Sequence, residues 1–525
     1  MKFIYKFILL LSFASYANYS YSKVEPSAED VNKLTQSALQ GNTKDQTIIG
    51  MFYRDGSGVK QSYSEAFKWF KLAADHGDPI AQAELAYLYI NGFGTEQSNE
   101  KAAHWFKVAA EQGDMGAQHR LGILYSEGKG VPKSHTKAFE WYLKSANQGY
   151  APAQTSLGSL YLHGEEVPKD YQQAANWFQK AADQGYALAQ SGLGILYKHG
   201  KGVPQDYQQA AKWYQKAADQ GLAIAQYSLG KFYIDGNGVT QDDKKAREWF
   251  QKAADQGNVD AQTLLGMLYH YGKGGPQNDV QAGKWFQKAA EQGDSLSQYY
   301  LGELYNYGKG VPQDYKQAAK WYQKAADQGS ALGQTYLGIL YVDGKGVPQN
   351  YQQALKWFQK AANQGNAQGQ TNLGIFYENG EGMSTNYQEA LKWYQKAADQ
   401  GYARAQTYLG ILYADGKGIP QNYQQAAKWY QKAADQGDAQ GQTLLGFLYL
   451  QGKGVQRDYQ QALKWFQKSG EQGNRSSLFT LGYMYKNGLG VRQNYSKAKE
   501  YFGLSCDKGY QDGCDQYREL NMSKY

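Results

Sequence analysis

Every tryptophan in this 525-residue chain falls on one position of a 36-residue register, from Trp69, Trp105 and Trp141 through to Trp465. One further step lands on Tyr501. Thirteen units follow one another from residue 42 to residue 509, with no insertion or deletion, over nine-tenths of the chain. A chain with that period is a repeat array rather than the three or four independent domains its length would otherwise suggest. Other columns keep the same phase: Tyr53, Tyr89 and Tyr125 continue to Tyr485, and Ala66 and Ala102 continue to Ala498.

Each unit reads as two helices. The first carries Ala189, Gln190, Leu193, Gly194, Leu196 and Tyr197, which places Leu, Leu and Tyr on one helical face. The second carries Tyr207, Ala210, Trp213, Tyr214, Ala217 and Ala218, again an apolar stripe at helical spacing. A short oxygen-bearing residue precedes every second helix, from Ser62, Ser98 and Ser134 to Asn494, where it caps an orphan N–H. Glu65, Gln173 and Gln209, three residues further on, predict capping boxes. Glycines predict the stops: Gly77 and Gly113 end second helices, and Gly56 to Gly488 end first helices. A glycine inside the first helix, as at Gly50, Gly122 and Gly158, recurs despite a cost of about 1 kcal/mol against alanine. Its recurrence predicts that the neighbouring helix approaches closely, beneath a Trp or Tyr ring. The 61 glycines are therefore positional, and an aromatic content of 15% argues against a disordered chain. The expected fold class is all-α, an α/α solenoid. Residues 18–41 form an N-terminal capping segment with Ser27 as cap and Gly41 as stop, and 510–525 form a C-terminal half-repeat cap.

These columns resemble the Sel1-like repeat family, a 36-residue relative of the tetratricopeptide repeat. Its consensus, A-x-x-x-L-G-x-L-Y-x-x-G-x-G-V-x-x-[DN]-Y-x-x-A-x-x-W-[FY]-x-x-A-A-x-x-G, is nearly verbatim from Ala405 to Gly437. The resemblance implies antiparallel helix pairs stacked into a right-handed superhelix. It implies a non-enzymatic adaptor or scaffold for protein or peptide partners, exported to the bacterial envelope or secreted, with host-cell contact among the roles of such members. The chain's two cysteines, Cys506 and Cys514, fall late in a second helix and early in the next first helix. Their Cys-x7-Cys spacing is that of the family's cysteine-rich branch, where the pair is bridged, so a disulfide is expected in an exported protein, with two free thiols as the alternative.

The N-terminus reads as a secretory signal. Lys2 and Lys6 precede a short apolar core, Phe7 to Ala14, and Ser15-Tyr16-Ala17 fits a small-x-small cleavage site, so residues 1–17 are expected to be removed. An uncleaved apolar start is the alternative. Periplasm or secretion is the expected localisation, with no transmembrane segment, because no other stretch approaches 18 apolar residues. The net charge is +7 and no block of like charges occurs, so nucleic acid is not an expected partner.

Motifs for chemistry are lacking. His163 and His199 share a column but read as helix-end histidines, and no H-x-x-x-H or HExxH spacing exists. Ser134, Ser228 and Ser496 each begin an S-x-x-K match without an S-D-N or K-T-G partner, the level chance produces. No catalytic residue, cofactor or metal site is expected. An envelope enzyme or a cell-wall-fragment or penicillin-binding protein stays as the alternative, through the label some cysteine-rich relatives carry.

The columns that vary lie on the first helices, which in such solenoids line the concave face. Large groups concentrate there: Tyr227, Lys231, His270, Tyr271, Tyr299, Tyr300, Glu303, Asn306, Tyr307 and Tyr336. Aromatic side chains on a rigid surface are typical binding hot spots. These residues are the candidate partner-binding set, on a chain expected to be monomeric. Packing between repeats is the alternative. On the binding reading, alanine at Tyr299, Tyr300 and Tyr336 leaves thermal stability nearly intact.

Overall fold

The computed structural model describes residues 26–164 and 167–522. The expected signal peptide, 1–17, lies outside the described residues. Among them stand 28 helices and no strand, so the fold is an all-α solenoid. First helices such as Ser295–Tyr307 and second helices such as Tyr315–Asp327 each run 13 residues. The N-terminal capping helix is Ala28–Leu39, and the C-terminal one is Gln511–Met522.

The helix boundaries arise locally. Each second helix has an Ser, Asp or Asn cap whose side chain accepts a first-turn N–H, as Ser62 does from Glu65 and Asp206 from Gln209. The reciprocal half of the capping box does not form there. Among the described residues only Ser27 and Asp30 make both bonds. Glu65 and Glu389 instead pair with Lys68 and Lys392, three residues along their own helices. Left-handed glycines close the first helices, Gly308 with φ 66° among them.

The mid-helix glycines do permit close approach, but beneath the Phe or Tyr that follows each tryptophan rather than the tryptophan itself. A Cβ on Gly302 would stand 2.7 Å from the Tyr322 ring, and one on Gly158 the same distance from Phe178. From Trp141 to Trp465 each tryptophan lies under a lysine three residues on, as Lys324 lies 4.2 Å from the Trp321 centroid.

The chain divides into two compact units. One runs to Leu268 and takes in Gly272–Pro276; the other holds Tyr269–Tyr271 and continues from Gln277. The first unit packs Phe70, Leu85, Phe106 and Leu121 into its core. It also buries an ion pair, Arg54 with Glu84, between the first helices Thr43–Asp55 and Pro79–Asn91. His119 is buried there between the Tyr142 and Tyr150 rings, 3.0 Å from Ser156 Oγ, and burial pushes its pKa down to about 3.

The second unit stacks its repeats through glutamine pairs. Gln298 Nε2 donates to the Ala290 carbonyl at 3.2 Å, and Gln298 Oε1 accepts from Gln328 Nε2 at 2.8 Å. The same pairing recurs at Gln334 with Gln364 and Gln370 with Gln400. The Ala-Gln column of the sequence motif is thus an inter-repeat clasp. At the end of this unit a Cys506–Cys514 disulfide, with Cα atoms 4.6 Å apart, ties Tyr495–Asp507 to Gln511–Met522.

Candidate partner-binding surface

The first helices of the second unit present a cluster of tyrosines, built on a buried floor. Tyr322 follows Trp321 on the second helix Tyr315–Asp327 and is fully buried, its ring seated on Gly302. Tyr299 stands where equivalent repeats carry Thr335, Thr371 or Thr407, and its larger ring fills the space between Tyr322 at 6.0 Å, Tyr300 at 5.2 Å and Tyr336 at 5.4 Å. Tyr300 in turn stacks on Phe286 at 4.9 Å. Tyr271 reaches over from the preceding first helix, its hydroxyl 3.3 Å from that of Tyr300.

The candidate residues divide between interior and surface. Tyr299 is only 7% exposed and His270 6%, the latter held by Asp279 at 2.6 Å, so neither offers a face to a partner. Tyr299 belongs to the core, which corrects the expectation that its removal leaves stability intact. Tyr300, Tyr336, Glu303 and Asn306 are half-buried, and the Asn306 carbonyl accepts from Gln313 at 2.8 Å. Tyr271 and Tyr307 are open, at 55% and 52% exposure. Tyr227 and Lys231 belong to the first unit and are half-buried, Tyr227 lying 5.9 Å from Phe250 with its phenol pushed up to about 12 by burial.

Electrostatics single out Glu303. Its carboxylate lies one helical turn from Tyr299, Tyr300 and Tyr307 on Ser295–Tyr307. Burial first, and the Glu303 charge next, hold the Tyr299 and Tyr322 phenols well above the usual tyrosine range. Among the described residues Glu303 has no ion-pair partner. Lys309, on the following turn, instead stands 5.7 Å from the Tyr307 centroid. The Tyr322 hydroxyl is buried with no hydrogen-bond partner. Such an orphan costs about 1–3 kcal/mol, so it calls for an explanation.

Sequence reasoning missed Tyr322, because its column reads as ordinary core Phe or Tyr. It also missed Glu378 and Arg404, two repeats further on. There the Tyr394 hydroxyl donates to Glu378 at 2.8 Å, Tyr394 stacks on Tyr408 at 5.2 Å, and the Arg404 guanidinium lies 5.7 Å from the Tyr408 centroid.

The Sel1 repeat family profile matches thirteen times, at residues 46–78, 79–114, 116–150, 151–186, 187–222, 223–258, 259–294, 295–330, 331–366, 367–402, 403–438, 439–474 and 476–510. The chain belongs to the Sel1 repeat family. Among solved structures it is similar to a protective antigen of uropathogenic Escherichia coli strains displaying an SLR fold, at 35% identity and a TM-score of 0.73, covering 87% of this chain and 97% of that one. A Sel1 repeat protein of Oxalobacter formigenes is 34% identical, over 63% of this chain and 94% of its own, with a TM-score of 0.49. No protein of curated function matches the chain. The fold is that of a protein-interaction scaffold, and no catalytic family is indicated. Among the described residues no helix is long and apolar enough to cross a membrane.

Proposed function

We propose that the chain is an exported, non-enzymatic scaffold, acting in the bacterial envelope or after secretion. It binds a protein or peptide partner on the first helices of its second unit. The observation that carries this reading is the exposure of Tyr271 and Tyr307 beside a packed aromatic floor, since rigid, half-seated aromatics bind at low entropic cost. Signal-like residues 1–17 and the Cys506–Cys514 bridge support export to an oxidising compartment. The scaffold works as a monomer, and its similarity to a protective antigen of a pathogen favours contact with host components.

The test is a double variant, Tyr271→Ala with Tyr307→Ala. Its melting temperature stays within about 2 °C of the parent, as expected for exposed sites. Capture of specific partners from envelope and host extracts, read by quantitative mass spectrometry, falls at least about tenfold. Undiminished capture contradicts the assignment of this surface.

A further inference from the structure

The cluster around Glu303 has an internal counterpart. Stepping forward by two repeats carries Tyr322 onto Tyr394, Tyr336 onto Tyr408, Asn306 onto Glu378 and Leu332 onto Arg404. At the later position the chain completes the site itself. Glu378 accepts the buried hydroxyl, and Arg404 supplies a cation to the aromatic faces. At the earlier position Asn306 and Leu332 stand in their places, and neither a bonded acceptor nor a cation is supplied. The Tyr322 hydroxyl is buried and unbonded, and the Glu303 carboxylate, half-buried among phenols, has no cation.

Charge therefore indicates what belongs there. Tyrosine faces attract a cation within about 6 Å of their centroids, and more strongly once it is desolvated. A carboxylate drawn partly out of water is stabilised by a directly bonded cation. A guanidinium or ammonium also brings N–H donors, which the open Tyr271 and Tyr307 hydroxyl oxygens accept. We propose that Glu303, with Tyr271, Tyr300, Tyr307 and Tyr336 over the buried Tyr322 floor, receives an arginine or lysine side chain from an extended segment of a partner protein. This rests on the scaffold reading above and names the chemistry of its partner. The inserted cation supplies, from outside, the positive charge that Arg404 supplies from within two repeats later, where this repeat has Leu332.

The experiment is a selection of random twelve-residue peptides displayed on phage, on the full mature chain. Selected peptides are then synthesised, and their affinities measured by calorimetry against the parent, Glu303→Gln and Tyr322→Phe. The expected result is a consensus with one invariant Arg or Lys, whose replacement by norleucine abolishes measurable binding. Glu303→Gln weakens those peptides at least about tenfold, as loss of a charged partner does. Tyr322→Phe, which keeps the packing and removes only a buried hydroxyl, leaves their affinities unchanged. A consensus without a basic residue, or affinities unmoved by Glu303→Gln, overturns the cationic assignment and leaves the scaffold reading standing. Recovery of no binding peptide at all overturns the cationic assignment, while the Tyr271→Ala, Tyr307→Ala capture decides the scaffold reading. Equal competition by free choline chloride overturns the peptide as occupant in favour of a small quaternary ammonium. Self-association of the chain, disrupted by Glu303→Gln on sedimentation, overturns it in favour of a second copy.

Discussion

At Tyr394 the chain satisfies its own buried hydroxyl; at Tyr322, in the same column two repeats earlier, it leaves the hydroxyl bare. The backbone around the two is alike. Gly374 and Gly302 each seat the ring, and a Cβ there would stand 2.5 Å and 2.7 Å from it. The contrast lies in side chains, chiefly Glu378 against Asn306, Arg404 against Leu332, Thr371 against Tyr299, Asn372 against Tyr300, Ile375 against Glu303 and Asn379 against Tyr307. A strictly repeating scaffold keeps its core columns constant and varies a few first-helix positions. One repeat is thereby closed on itself, and another is left with unmet charge and hydrogen-bonding capacity.

The comparison is broken most strongly by Tyr299→Thr, which gives the earlier repeat the residue its equivalents carry. A ring only 7% exposed is removed, so the expected cost is about 3 kcal/mol, seen as a lowered melting transition. A loss below about 1 kcal/mol would place Tyr299 outside the core. Next come the two swaps of the acceptor. Glu378→Asn orphans the Tyr394 hydroxyl and is expected to destabilise by about 2 kcal/mol, whereas Asn306→Glu gives Tyr322 an acceptor and stabilises by about 1 kcal/mol. Chemical denaturation of the two variants side by side reads the difference, and effects of equal sign refute the pairing.

The smallest effect is a dependence on alkaline pH. Burial, followed by the nearby carboxylates, holds the Tyr322 and Tyr394 phenols above the usual tyrosine range. The unfolded chain releases these protons near pH 10, while the folded chain retains them. Folded-state pKa values are raised, so the stability contribution is complete below pH 10 and declines as pH rises above it. Glu303→Gln removes one cause at Tyr299 and Tyr322 but none at Tyr394. Absorbance of tyrosinate at 295 nm should therefore show an earlier onset in that variant, and an unchanged curve contradicts the proximity of Glu303.

The repeat architecture was legible because the 36-residue register fixes two helical stripes, their caps and their stops in every unit. Caps and glycine stops are local signals, set by side chains within a few residues of the helix end. What the sequence withheld is tertiary. Gln298 and Gln328 meet across 30 residues, and nothing in the Ala-Gln column announces that the second amide comes from the next repeat. The ring over the mid-helix glycine is Tyr322 rather than Trp321, a choice made by how the two helices of a repeat face each other. For the candidate surface, variability picked the correct first-helix columns but could not separate inside from outside. His270 and Tyr271 are neighbours in sequence, yet one is tied to Asp279 in the interior and the other is open.

The central claim is that the Glu303 cluster receives a basic side chain from outside. The most direct measurement is a crystal structure of the mature chain bound to an arginine-bearing peptide obtained from the selection. The expected result is a guanidinium hydrogen-bonded to Glu303 and within about 6 Å of at least two of the surrounding tyrosine centroids. A peptide bound elsewhere, or one whose arginine points to solvent away from Glu303, contradicts it.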